Sequence, residues 1–299
     1  MLRTRLLTAA VLAPIIIGVV LAGEPWLSIL VGVAAFLAFV EVVSLLDAAG
    51  YQPPQVLTLL SGVVVTAAGL ISVNDGSVGG ILTTLVTALD PPGLVAAALA
   101  AVTILLAVAA FMRGDPKDGF VTWAMSVFGV LYVGLLLPAI AIVAHLAPPG
   151  GSPTTPVGVL GLGSGAAWTL LLVLVVWGYD TGAYLTGRAI GRTRLVDHIS
   201  PSKTIEGLAG GLVAATVAAG IGAALVGLEP WHPLVIGPMV GLAAQAGDLA
   251  ESLLKRAAGR KESGFLVPGH GGILDRLDSF LFAAPILAGY AVLVAGRVA

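Results

Sequence analysis

Apolar residues in this chain come in long unbroken runs, at 6–22, 26–46, 56–73, 94–112, 120–146, 167–187, 206–227, 233–251 and 278–297. Each run is close to the roughly 20 residues that a helix needs to cross the hydrocarbon core of a bilayer. The pattern predicts an all-α integral membrane protein, a polytopic bundle of about nine transmembrane helices. The run 120–146 is long, and Pro138 predicts a tilt or kink within it. The stretch 79–90 is apolar but short, and reads as an outer re-entrant or interfacial piece, with a tenth span as the alternative.

Composition agrees. The chain is 58% hydrophobic and 10% charged, with a mean hydropathy of +1.05. A soluble domain carries about a quarter charged residues, so these polar groups are too few to cover a water-facing surface. There is no cysteine, which excludes disulfides, thiolate metal sites and cysteine nucleophiles. The net charge of −2 implies no partner by itself. The first run follows Met1-Leu2-Arg3-Thr4-Arg5 as a signal peptide would. No small-residue cleavage site follows and further spans come after, so it is expected to be retained.

Charge sets the expected orientation. With Arg3 and Arg5 inside and nine crossings, the inner segments are the N-terminus, 47–55, 113–119, 188–205 and 252–277. They hold Arg113, Lys117, Arg188, Arg192, Arg194, Lys203, Lys255, Arg256, Arg260, Lys261 and Arg276 as well; of the 14 basic residues only Arg297 falls outside. The outer loop 147–166 carries no charge. The expected location is the cell membrane, multi-pass, with the N-terminus and the active site cytoplasmic. Residues 1–165, about five spans, read as scaffold, and 166–299, about four spans, as the catalytic half, because nearly every polar cluster lies there. No internal repeat is visible.

Four clusters carry candidate chemistry. Asp180, in Trp177-Gly178-Tyr179-Asp180-Thr181-Gly182-Ala183-Tyr184, lies inside the sixth span, where an ionised carboxylate is costly unless it is paired or holds a cation. A structural ion pair is the alternative. Gly178 and Gly182 make a small-xxx-small pair that admits a neighbouring helix. Next, Ser200-Pro201-Ser202-Lys203-Thr204-Ile205-Glu206-Gly207 opens the seventh span. Pro in a first turn, hydroxyl caps and a lysine predict an anion site at a helix N-terminus; a plain capped helix is the competing reading.

The third cluster is a stripe. Asp248, Ser252 and Lys255 recur at i, i+4 and i+7, with Glu251 at i+3, on one helical face. It suits a metal with an anionic ligand. A helix end surfacing into water explains Glu251 and Lys255 as well, but not the deeper Asp248. The fourth cluster runs Pro268-Gly269-His270-Gly271-Gly272-Ile273-Leu274-Asp275-Arg276-Leu277-Asp278. Its glycines let backbone approach a ligand. Asp275 and Asp278, at i and i+3, can face one cation, and Mg²⁺ suits one or two carboxylates with substrate phosphates; capping of a helix N-terminus is the alternative. Among the histidines, His145 and His232 fall at outer edges as interfacial residues, His198 is ambiguous, and His270 alone is a functional candidate. Carboxylates and bases at one mouth point to metal-assisted phosphoryl chemistry. No aromatic-interleaved basic patch points to nucleic acid.

The stretch Ser252–Asp278 resembles the signature of the phosphatidate cytidylyltransferases: S-x-x-K-R, four residues, K-D, then P-G-H-G-G-x-x-D-R-x-D. Glu262 stands where that signature has Asp. The Trp177–Tyr184 and Ser200–Gly207 segments are similar to W-x-x-D-T-G-A-Y and S-P-x-K-T-x-E-G of the same family. The N-terminal half matches only in membrane character. The resemblance implies that CTP and phosphatidate give CDP-diacylglycerol and pyrophosphate with Mg²⁺, with K⁺ a candidate for a second cation site, and it implies a homodimer. Carried over, Asp248, Asp275 and Asp278 hold the metal and Asp180 supports it or a substrate. Lys203, Lys255, Arg256 and Arg276 meet phosphates. Ser200, Thr204, Ser252, Lys261, His270, Gly271 and Gly272 join them as substrate contacts. Two other functions compete: a polyprenol or dolichol kinase relative, and a transporter using Asp180 and Asp248 for ion coupling. The one-sided charge and the absence of a repeat disfavour the transporter.

Overall fold

The computed structural model describes residues 2–73, 91–146, 163–266 and 271–295. Each predicted run becomes helix: α1 (Leu2–Ala22), α2 (Trp26–Ala48), α3 (Gln55–Val73), α4 (Pro91–Ala110), α5 (Pro116–Val130), the short α6 (Ala139–Ala144), α7 (Ser164–Ile190), α8 (Ile205–Val226), α9 (Pro233–Ala257) and α10 (Leu274–Tyr290). Among the described residues eight helical segments, α5 and α6 counted together, are long and apolar enough to cross a membrane; α1 adds a shorter apolar stretch, Ala10–Ala22. The protein is a multi-pass helical membrane protein. The stretch 79–90, most of the loop 147–166 and His270 lie outside the described residues.

The fifth run breaks where its proline predicts. α5 passes into one π-helical turn, Leu131–Leu135, then a turn over 136–138, before α6 resumes. Pro138 has no N–H to give and its ring crowds the carbonyl four residues back, so regular winding stops there.

The chain divides into two compact units built from non-contiguous stretches. The first comprises Met1–Leu27, Ile142–Leu253 and Arg276–Ala299. Its frame is the close pairing of α7 with α8. Gly178 of α7 lies against Ala214 and Ala218, and Gly182 against Gly210, Gly211 and Ala214; a side chain at either glycine would collide with α8. Small residues on both helices let the backbones meet, which is how apolar helices associate where water offers no hydrophobic drive. The second unit comprises Ser28–Ala141 and Leu254–Asp275. Its core packs Val65, Val102, Leu106 and Val130 against Trp123 and Val127, and Trp123 Nε1 donates to Thr103 O at 3.0 Å.

One local expectation is corrected. Ser200–Thr204 does not open a helix but forms strand β2, paired antiparallel with β1 (Arg194–Val196), with Val196 opposite Ser200 and Arg194 opposite Thr204. α8 begins at Ile205, and its cap is Thr204, whose Oγ1 accepts from Gly207 N at 3.1 Å. Glu206 pins the approach to the hairpin: its carboxylate accepts from Arg192 N, Thr193 N and Thr193 Oγ1.

Candidate active site

In the first unit the hairpin, α7, α9 and α10 bring the predicted charges together. Lys203, on β2, makes an ion pair with Asp248 of α9, with the side chains 21% and 26% exposed. Ser252, one turn on, extends its hydroxyl toward the other Asp248 oxygen at 3.4 Å. Asp180 of α7 feels the charges of Asp248, Lys203 and Arg276. α10 approaches α9 closely here: the Asp278 backbone carbonyl rests on Gly247, the residue before Asp248, and only a glycine there allows it. Asp278 Oδ1 accepts from Ser279 N at 2.7 Å. Lys203 and Arg276 thus lie among the charges around Asp180 and Asp248, and the cluster is partly open, so it can take up a charged ligand.

The polar stripe on α9 is turned inward, not toward water. Glu251 is 0% exposed and Ser252 and Lys255 are buried, while Leu242 and Leu253 are exposed. The reading of Glu251 and Lys255 as a helix end surfacing into water is therefore corrected. In a lipid-facing protein the apolar residues belong outside and the polar ones inside.

The second unit carries its own cluster. Lys255 Nζ donates to Asp275 Oδ1 at 2.6 Å. The other oxygen, Oδ2, accepts from Ser263 N at 2.9 Å, Ser263 Oγ at 2.8 Å and Gly272 N at 2.8 Å. Gly271 has φ +84°, a left-handed conformation that side chains resist, and a Cβ there would press on Asp275 Oδ2. Asp275 thus both pairs with a lysine and closes the loop that starts α10. Arg256 Nη1 donates to Arg260 O, tying the turn after α9, and Arg260 Nη1 donates to Ser44 Oγ. A cavity of about 670 Å³ opens here, lined by Val40, Ser44, Arg260, Lys261 and Phe265 among others.

One residue of this cluster was not singled out in the sequence. Glu41, deep in the apolar α2 and only 4% exposed, accepts from Ile273 N and Leu274 N at 2.9 Å each, and shares with Asp275 the single proton of the Ser263 hydroxyl, 2.8 Å away. A lone acid inside an apolar run was the available clue. His232, expected as interfacial, is instead buried in the first unit, its Nδ1 2.6 Å from the Tyr290 hydroxyl and its ring stacked on Trp231.

Among the described residues no three carboxylates or imidazoles form a ready-made ion cage. The donors still fit Mg²⁺. All are hard oxygens, Asp180 and Asp248 are neighbouring acids that repel each other, and Mg²⁺ commonly takes only one or two carboxylates and completes its shell with phosphate oxygens and water.

The chain matches the cytidylyltransferase family over residues 3–294, and it belongs to that family. Three relatives are similar to parts of the chain. A phosphatidate cytidylyltransferase of Synechocystis is 43% identical over 133 residues, 44% of this chain and 45% of the relative. One of Bacillus subtilis is 46% identical over 125 residues, 41% and 46% of the two chains. An uncharacterized protein, YnbB, of Escherichia coli is 35% identical over 191 residues, 61% and 58%. The alignments span about half the length of these relatives.

Proposed function

We propose that this protein transfers the cytidylyl group of CTP to phosphatidate, giving CDP-diacylglycerol and pyrophosphate in phospholipid synthesis. The observation that carries the reading is the first unit's cluster of Lys203 on the hairpin with Asp248, Asp180 and Arg276 on the helices of a cytidylyltransferase-family chain. The lipid phosphate is already a nucleophile. One of its oxygens attacks the α-phosphorus of CTP, a new P–O bond forms, the bond to the β-phosphate oxygen breaks, and pyrophosphate leaves. No strong base is required. Lys203 and Arg276 meet the triphosphate and draw off the negative charge that grows on the leaving group. Ser252 steadies Asp248, and the hairpin, fixed by Glu206, aims Lys203.

Asp248, with Asp180 and Asp278 of the same unit, would hold Mg²⁺, which supplies charge neutralisation at the phosphates when bound. K⁺ is the candidate for a second cation. A site at the cytoplasmic face of the cell membrane is supported by the basic residues of segments 188–205 and 252–277, since positive charge favours the inner side. There CTP arrives from water and phosphatidate from the bilayer, and the chain acts as a homodimer. The test is CDP-lipid and pyrophosphate formation by purified protein given CTP, phosphatidate and Mg²⁺.

A further inference from the structure

Glu41 belongs to the half of the chain that reads as scaffold, yet in the second unit it holds the start of the helix that bears Asp275. A carboxylate this deep in an apolar helix is costly unless its lone pairs are met. Here they are met entirely by the motif segment. Oε1 accepts from Ile273 N, and Oε2 from Leu274 N and Ser263 Oγ. The first N–H groups of a helix have no partner within it, and a negative charge suits that end. Glu41 therefore caps α10 from another helix. The backbone closes tightly around it: a Cβ on Gly264 or on Gly272 would strike the Glu41 carboxylate. The Ser263 hydroxyl lies 2.8 Å from both Glu41 Oε2 and Asp275 Oδ2, linking the two acids through one side chain.

We propose that Glu41 is a positioning residue of the second unit's motif cluster: it touches no substrate, but fixes residues 263 and 272–274 so that Asp275 and its partner Lys255 stand in one working geometry. The inference rests on the cytidylyl-transfer reading for its kinetic part only. Its structural part, the clamp, stands apart from any activity.

The experiment pairs hydrogen exchange with kinetics on the purified full chain in detergent. Glu41→Gln keeps the shape but turns half of the clamp from acceptor to donor. The amides of Ser263, Gly272, Ile273 and Leu274 are expected to exchange faster than in the wild type, while those of α3 and α4 stay unchanged. kcat is expected to fall about tenfold, the range seen when a supporting residue behind a site is lost, with the KM for CTP near wild type, because the lost interaction acts on the reacting geometry and not on ground-state binding. Ser263→Ala removes the link between the two acids alone and should give the same signature at smaller amplitude; it decides the matter if Glu41→Gln does not fold. Unchanged exchange at these amides in the folded variants overturns the clamp. Faster exchange with unchanged kcat overturns the positioning role. A wild type that makes no CDP-lipid defeats the functional reading instead, and leaves the exchange result standing.

Discussion

Lys255 Nζ donates to Asp275 Oδ1 at 2.6 Å, joining the last turn of α9 to the first turn of α10 with side chains only 11% and 8% exposed. A pair this buried adds little net stability, because both charges lose their water, but removing one partner strands the other at a cost of about 3–5 kcal/mol. Lys255→Met is therefore expected to lower the unfolding temperature in detergent sharply. The double variant Lys255→Met, Asp275→Asn should recover much of the loss. Thermal unfolding of the two single variants and the double variant checks this. Additive losses would mean that the pair is not coupled.

Lys203 is the cation held ready beside Asp248, and a phosphate is the natural ligand to draw it away. Lys203→Ala should weaken the use of CTP by roughly 1.5–3 kcal/mol, the worth of a charge-assisted hydrogen bond. Steady-state kinetics with varied CTP measures it. A wild-type kcat/KM would assign Lys203 to the hairpin's structure alone.

Thr204 has its hydroxyl committed to Gly207 N as the cap of α8. Thr204→Val keeps the β-branched shape and removes the acceptor, and should cost about 1 kcal/mol of stability. If turnover fell far beyond what thermal unfolding of the variant accounts for, Thr204 would be a substrate contact as well as a cap.

Much of the fold was legible in the sequence, because a bilayer forces each span to be long, apolar and helical. The break at Pro138 was legible for the same local reason. The hairpin was not. Ser200-Pro201 looks like a capped helix start, and what decides against it is pairing with Arg194–Val196 and the stronger cap available at Thr204. The inward turn of Glu251 was hidden too, since a charged stripe near a helix end looks the same facing water or facing a core. Glu41 lay furthest out of reach: its partners Ser263, Ile273 and Leu274 are more than 200 positions away in the chain, and no spacing rule connects them.

The lack of native cysteine makes orientation directly testable. Ser202→Cys and Glu262→Cys, at exposed positions in the two basic segments, should resist an impermeant thiol reagent in intact cells. Glu229→Cys, in the turn between α8 and α9, should label. The opposite pattern would invert the orientation and put the site on the other face.

The central claim is cytidylyl transfer at the carboxylates beside Lys203. It is tested most directly by measuring CDP-diacylglycerol and pyrophosphate made by the purified protein from CTP and phosphatidate, with and without Mg²⁺. Asp248→Asn, Asp278→Asn and Asp118→Asn are assayed alongside it, each confirmed monodisperse. The account predicts equimolar products that require Mg²⁺. It also predicts turnover lowered by orders of magnitude in the Asp248 and Asp278 variants, and near-normal turnover in Asp118→Asn, an exposed position in the first turn of α5. No CDP-lipid from the wild type, or full activity in both site variants, would contradict it.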